Sequence, residues 1–331
     1  MDKKWFEVFS DREYWEELTQ TYIKTGTAPG KTPISHVADL WDYFKFCILT
    51  DNRFFFEHPL LDAVKAKINE HMITLPGNTT LFRARIDTND TLRNKLQNLM
   101  QADILSKLKE SASIAGIVEI DELIARFTGI DGYNAYREQR QSGFEGFSAD
   151  ESVCPPPHKV SHGRCNLPNS PHLYAAADIH TAIAETRPYI RDTISVASLC
   201  YEKDLRIIDF CFDWGDQEHL FDWFYMAMSS EFSVVNKGKE NDYFATQYLT
   251  MLVKSLGYDG LKFKSSLVID GVNYVIFDDA TCKPISSKLY TVAEVRYNVL
   301  SEFVDSCLKD ANGEDIPNPQ IARIKQHKTK V

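Results

Sequence analysis

The sequence predicts a chain of mixed α and β structure that opens with helices and continues into a sheet-bearing domain. Three observations predict it. Up to about residue 75, aromatic and aliphatic residues recur at three- and four-residue spacing, as on one face of a helix. From residue 81 onward, short apolar runs of strand length are interspersed with helical patterns. Within this second part, residues 128–172 show no period and are rich in Gly, Ser, Pro, His and Arg, which marks a long connection.

The elements follow in order. "REYWEELTQTYIKTG" and "SHVADLWDYFKFCIL" read as helices, punctuated by Gly26 and "APGKTP". "TLPGNTT", residues 74–80, makes a turn before the strand "LFRARI", and "DTLRNKLQNLMQADILSKLKE" returns to a helical pattern. After the long connection, "HLYAAA" reads as a strand, and Asp178 caps a helix over "IHTAIAETRPYI". "TISVASLCY" and "LRIIDFC" are strands; "QEHLFDWFYMAMSSEF" and "DYFATQYLTMLVKSLG" are helices, the second closed by Gly257. "DGLKFKSS" and "VNYVIFD" are two strands around a turn at "IDG". The end, "IARIKQHKTKV", reads as a solvated basic tail, and no internal repeat is present.

Bulk properties exclude several classes. The chain has 331 residues, 44% hydrophobic and 25% charged, as in soluble globular proteins. It contains no run of eighteen apolar residues, so no membrane span is expected. The start, "MDKKWFEVFSDREYW", is too charged and too aromatic for a signal peptide, so the expected location is the cytoplasm. Seven cysteines without regular spacing argue against a disulfide framework. A formal charge of -10 disfavours nucleic acid as a partner, because phosphate contacts need a basic face. A small anionic substrate needs only local arginines.

The stretch from His162 to Pro188 concentrates the chemistry. Arg164 lies in a loop before a strand, and Glu185 lies on the helix after it. A loop–strand–helix unit can bring the two together. Thr181 and Ala182 precede Glu185 by four and three positions, and these small residues leave its carboxylate room to meet a ligand. The bland alternative is an exposed helix glutamate and a surface arginine. Ser265 and Ser266 close a strand before a turn, where they either line a cleft or serve ordinary turn chemistry. Cys154, His158, His162 and Cys165 are zinc-ligand types, but "CPPPH" and the spacing fit no finger pattern, and no metal is expected. Walker, dinucleotide-fingerprint, zincin and nucleophile-elbow motifs are absent. Arg53 and His58 in "RFFFEH" have the R-x4-6-H spacing of HEPN ribonucleases, a loose pattern here followed by a bulky Phe54.

Taken in order, "LFRAR" (81–85), "GRCN" (163–166), "LYAAADIHTAIAE" (173–185), "TQ" (246–247), "DGLKFKSS" (259–266) and "NYVIF" (273–277) resemble the RES-domain family, over about residues 80–280. The resemblance implies an α+β fold with an ADP-ribosyltransferase-like mixed sheet core. It implies three parts: a helical accessory domain over 1–75 that is similar to HEPN-like regions, a NAD-binding catalytic domain over 76–300, and a tail over 301–331. It also implies NAD as substrate, not resident cofactor, with cleavage of the nicotinamide–ribose bond by hydrolysis or phosphorolysis. The expected biological role is that of a toxin or defence effector. An antitoxin partner, or self-association through the first 75 residues, is the expected restraint.

The same resemblance implies Arg164, Glu185 and Ser265 as catalytic residues. It places Arg83, Arg85, Tyr174, Gln247, Asn273 and Ser266 at substrate-binding positions, Ser266 being the alternative to Ser265. Cys165 stands where many relatives carry a larger or more hydrophobic residue. Physical chemistry agrees with the assignment. Arginines bind diphosphate oxygens through paired hydrogen bonds, an aromatic ring stacks on the base or sugar, and one carboxylate suffices because nicotinamide leaves a cationic pyridinium as a neutral molecule. Two other functions use the same residues: ADP-ribosylation of a protein, and nucleotide binding without turnover by an interaction subunit. A ribonuclease built on Arg53 and His58 is a further alternative.

Overall fold

The computed structural model describes residues 9–25, 33–51, 58–88, 141–211, 220–233 and 243–295, a few isolated positions, and two short strands near the end. Helices α1 (Arg12–Thr25), α2 (Pro33–Thr50) and α3 (Pro59–Lys67) lead the chain, as the apolar spacing predicts. Pro59 opens α3, where a missing N–H is harmless. His58 caps it, its Nδ1 accepting from Leu60 N at 3.2 Å. The helix expected over "DTLRNKLQNLMQADILSKLKE" lies, apart from three isolated positions, outside the described residues.

The sheet comprises β1 (Met72–Leu75), β2 (Leu81–Ile86), β3 (Leu173–Ala176), β4 (Thr193–Tyr201), β5 (Leu205–Phe210), β6 (Gly260–Lys264), β7 (Val272–Ile276) and β8 (Cys282–Thr291). Its order is β1-β5-β6-β7-β3-β2-β4-β8. Only β5 and β6 run parallel; the other neighbours are antiparallel, so the sheet is mixed. Among the described residues, four further helices follow: α4 (Ala149–Ser152), α5 (Ile179–Glu185), α6 (Leu220–Ser233) and α7 (Phe244–Ser255). The fold is therefore α+β with a helical N-terminus.

Strand alternation divides the core in two. Ile208, Phe210, Leu261, Phe263 and Val275 join Tyr22, Phe44, Leu60 and Phe232 of the helices in one cluster. Leu205, Ile207, Ala175, Leu199 and Ile276 form a second cluster on the other face. The leading helices thus share a core with α6 and α7: the Tyr22 and Phe224 rings lie 5.9 Å apart, and Trp41 Nε1 donates to Glu231 at 2.9 Å. The compact unit ends at Val292. Residues 293–331 form a separate unit containing β9 (Leu308–Lys309) paired antiparallel with β10 (Asp315–Ile316). The "IARIKQHKTKV" tail lies outside the described residues.

Three features differ from the sequence reading. β1 and β8 are strands that the pattern did not announce. β1 has four residues, and β8 is a polar edge strand carrying Pro284, opposite a register shift between Ser198 and Leu199 of β4. A bulged edge is where a strand tolerates proline. The helix after Asp178 stops at Glu185 and does not continue through "TRPYI". Pro188 disfavours helical backbone at the residue before it, and Arg187 takes a left-handed φ of 50°.

Candidate active site

The site is assembled around a tight turn, a short helix and a glycine-containing loop. The turn is "GRCN". Gly163 N donates to Asn166 O at 3.1 Å, placing Arg164 and Cys165 at its tip. Side chains from three directions lock it. Tyr174 Oη accepts from Cys165 N at 2.9 Å and donates to Asn166 Oδ1 at 2.7 Å. Thr246 Oγ1 donates to Arg164 O at 2.7 Å, and Gln247 Nε2 donates to Gly163 O at 2.8 Å and Asn166 O at 3.1 Å. His172 Nδ1 lies 2.9 Å from Cys165 O. There is no room for a side chain at Gly163: a Cβ would stand 2.2 Å from Asn166 Oδ1 and 2.9 Å from Tyr174 Oη. Burial pushes the Cys165 thiol up to about 12, and raises the Tyr174 hydroxyl well above its ordinary value, so both groups are held neutral.

Helix α5 carries Glu185. Asp178 caps it, accepting from Thr181 N at 2.8 Å. Buried Ala182 and Thr181 let the helix lie close to the sheet. At its end, Glu185 Oε1 accepts from Ser265 Oγ at 2.6 Å and from Asn273 Nδ2 at 2.7 Å. Ser265 Oγ in turn accepts from Leu267 N at 3.1 Å and Val268 N at 3.2 Å, so its hydrogen is directed to the glutamate. Gly271 lets this loop meet α5: a Cβ there would stand 2.8 Å from Thr181 Oγ1 and 3.1 Å from the Ser265 Cβ. Among the described residues, Oε2 of Glu185 takes no hydrogen bond and remains available to a ligand.

These groups border a pocket of about 430 Å³ lined by Phe82, Arg164, Tyr174, Glu185, Phe263 and Asn273, among others. That volume suits a small-molecule ligand. The Arg164 guanidinium carbon is 6.0 Å from the Phe263 ring centroid. Register explains the assembly. Phe82 pairs with Ala176, which pairs with Asn273, so all three side chains share the helical face of the sheet. Arg83 pairs with Ala197 and Arg85 with Ser195, on the opposite face. Arg83 borders the pocket, but its NH1 donates to Ser152 O at 3.0 Å and Glu151 O at 3.4 Å. Burial lowers its pKa to about 10, with the nearby Arg85 adding to the effect. Arg85 NH1 donates to Glu151 O at 2.5 Å, with its guanidinium 4.5 Å from the Phe147 ring centroid.

Of the expected residues, the structure brings together Arg164, Tyr174, Glu185, Ser265 and Asn273. Ser265, not Ser266, meets the glutamate. The structure adds a second role to several of these positions. Gln247 is buried and donates its amide nitrogen to the turn, so it holds the Arg164 backbone in place. The Arg83 and Arg85 guanidiniums hold the 147–152 segment, Arg83 doing so from the pocket's border. The Tyr174 hydroxyl is a clamp, leaving only its ring to a ligand. Reading by residue type missed His172, Thr246 and Arg187; the signal for Arg187 was Pro188 beside it. Arg53 lies outside the described residues, and His58 is a buried helix cap between Tyr43 and Phe44. Among the described residues, no three His, Cys, Asp or Glu side chains are grouped to hold a metal ion, and none of the helices is long and apolar enough to cross a membrane.

The fold and site define a mixed-sheet α+β protein with one anchored carboxylate in an arginine-bearing pocket. Residues 134–298, just under half of the chain, match the family model of the RES domain. No curated protein matches the sequence. Among solved structures, a chain of the M. tuberculosis MbcT–MbcA toxin–antitoxin complex is similar at 10% identity, covering 70% of this chain and 93% of that one with a TM-score of 0.35.

Proposed function

We propose that this protein cleaves the nicotinamide–ribose bond of NAD. The observation that carries the reading is Glu185, its Oε1 held by Ser265 and Asn273 at the edge of a pocket bearing Arg164. The bond between the pyridinium nitrogen and the ribose carbon breaks with its electron pair going to nicotinamide, which departs neutral. Positive charge then develops on the ribose, as in other glycosidic cleavages. Two donors on Oε1 fix the carboxylate, leaving Oε2 to face that charge or to orient an incoming nucleophile. Fixed electrostatic help of this kind is worth about 3–4 kcal/mol per group removed in comparable sites. Phe263 and the Tyr174 ring offer apolar surface to the base, and Arg164 offers a cation to the diphosphate. Water as acceptor yields ADP-ribose and a proton; phosphate yields the 1-phosphate of ADP-ribose.

In this reading the chain is a toxin-like NAD-consuming enzyme restrained by an antitoxin partner. The test is nicotinamide release from NAD by the purified protein, with and without phosphate, alongside Glu185→Gln. We expect release by the wild type and none by the variant, with matching far-UV and near-UV circular dichroism. A folded wild type that releases no nicotinamide in either buffer sinks the proposal. Label transferred from NAD to a protein band would instead select ADP-ribosylation at the same site.

A further inference from the structure

Arg187 is the left-handed residue that ends α5, a position usually given to glycine. It lines the same pocket as Glu185, two residues further along the chain. Its backbone is left-handed, with φ 50°, immediately before Pro188. Glycine adopts this conformation without penalty, whereas a side chain with a Cβ is strained there. The conformation is held locally: Arg187 N donates to Ala184 O at 2.9 Å, and Tyr189 N donates to Asp192 Oδ2 at 2.7 Å. Strain kept at a pocket wall points to a use for the side chain.

The neighbouring arginines sharpen the contrast. Arg83 and Arg85 donate to main-chain carbonyls of the 151–152 segment. The exposed side chain of Arg187 has no hydrogen bond, ion pair or ring contact among the described residues. An arginine guanidinium presents paired donors that match the oxygens of a phosphate.

We propose that Arg187 binds a phosphate oxyanion in this pocket. The identity of that oxyanion rests on the reading of NAD as substrate: it is either the diphosphate of the dinucleotide or a free phosphate arriving as acceptor. The arginine is a binding residue, and the strained backbone aims it.

The experiment is calorimetric titration of ADP-ribose and of inorganic phosphate into wild type, Arg187→Ala, Arg187→Gly and Arg187→Lys, with thermal unfolding of each. ADP-ribose carries the diphosphate and is not a substrate for nicotinamide release, so binding is read independently of turnover. Loss of one charge-assisted contact should weaken binding about tenfold to a hundredfold in the Ala and Gly variants, with Lys intermediate. Arg187→Gly should unfold at or above the wild-type temperature, which a structural role would not allow. Weakening for ADP-ribose alone assigns the diphosphate; weakening for phosphate alone assigns the acceptor. Unchanged affinity for both in Arg187→Ala overturns the proposal and leaves NAD cleavage standing. A wild type that binds neither probe overturns it too, and takes the NAD reading with it only if nicotinamide release is also absent.

Discussion

Ser265 Oγ donates a 2.6 Å hydrogen bond to Glu185 Oε1 across 80 residues of sequence, while its own lone pairs are occupied by Leu267 N and Val268 N. The serine is therefore oriented by its loop before it orients the carboxylate. Ser265→Ala should lower kcat for nicotinamide release by about tenfold to a hundredfold, since a hydrogen bond to a charged group is worth about 1.5–3 kcal/mol. KM should change little. Coupling is read on stability: in urea denaturation, adding Ser265→Ala to Glu185→Gln should cost less than Ser265→Ala costs in the wild type, because the two side chains share one hydrogen bond. Equal and additive losses would refute the coupling.

Tyr174 lends its hydroxyl to the Arg164 turn. Tyr174→Phe keeps the ring but leaves Cys165 N and Asn166 Oδ1 without it. An abandoned buried group costs about 1–3 kcal/mol, and urea denaturation should show a loss of that size. Limited proteolysis should then cut the 160–170 loop sooner than in wild type. Unaltered stability would mean that the clamp is not formed in solution.

Gly163→Ala tests how tightly the turn fits. The added methyl meets Asn166 Oδ1 and Tyr174 Oη at separations no Cβ tolerates, so the turn must shift and carry Arg164 with it. We expect a higher KM for NAD and a lower unfolding temperature. Wild-type values for both in the purified variant would show that the turn has slack.

Acid stability follows from two buried histidines. Burial lowers His172 to about 4, and the adjacent Lys254 ammonium, 3.4 Å from Nε2, pushes the same way. Burial alone lowers His58 to about 4. Folded-state values below the ordinary 6.5 mean that the unfolded chain takes up protons first as pH falls. Their stability contribution is complete above about pH 6.5 and is lost as pH drops toward about 4. His172→Gln should remove about one proton from the slope of unfolding free energy against pH in that window. An identical slope in the variant would place the His172 titration elsewhere.

Much of the scaffold was legible because it depends on local pattern. The spacing in "REYWEELTQTYIK" and "SHVADLWDYFKFCIL" gave α1 and α2, and the Asp178 cap gave the start of α5. β8 was not legible, since a strand at the sheet's edge, paired along its length with β4 and bridged at Ser287 to Phe144, needs no apolar alternation and admits Pro284. The site divides in the same way. Arg164, Glu185 and Ser265 stood out by residue type and by an ordered set of short motifs. What Arg83, Arg85 and Gln247 hold could not be read beforehand, because residue type does not say which face of a strand or helix a side chain occupies: the arginines reach the 151–152 carbonyls and Gln247 the Arg164 turn.

The sequence by itself determined that the chain is α+β, that helices precede the sheet, and that a turn-borne arginine, a helix-borne glutamate and a loop serine belong to one set. Only the tertiary structure decided which of the polar residues face the pocket. Pairing of Phe82 with Ala176, and of Ala176 with Asn273, sends the Asn273 amide to Glu185, and the same alternation roots Arg83 and Arg85 on the other face of β2. Register is set by contacts between strands far apart in sequence, and a shift of one residue would exchange the two faces.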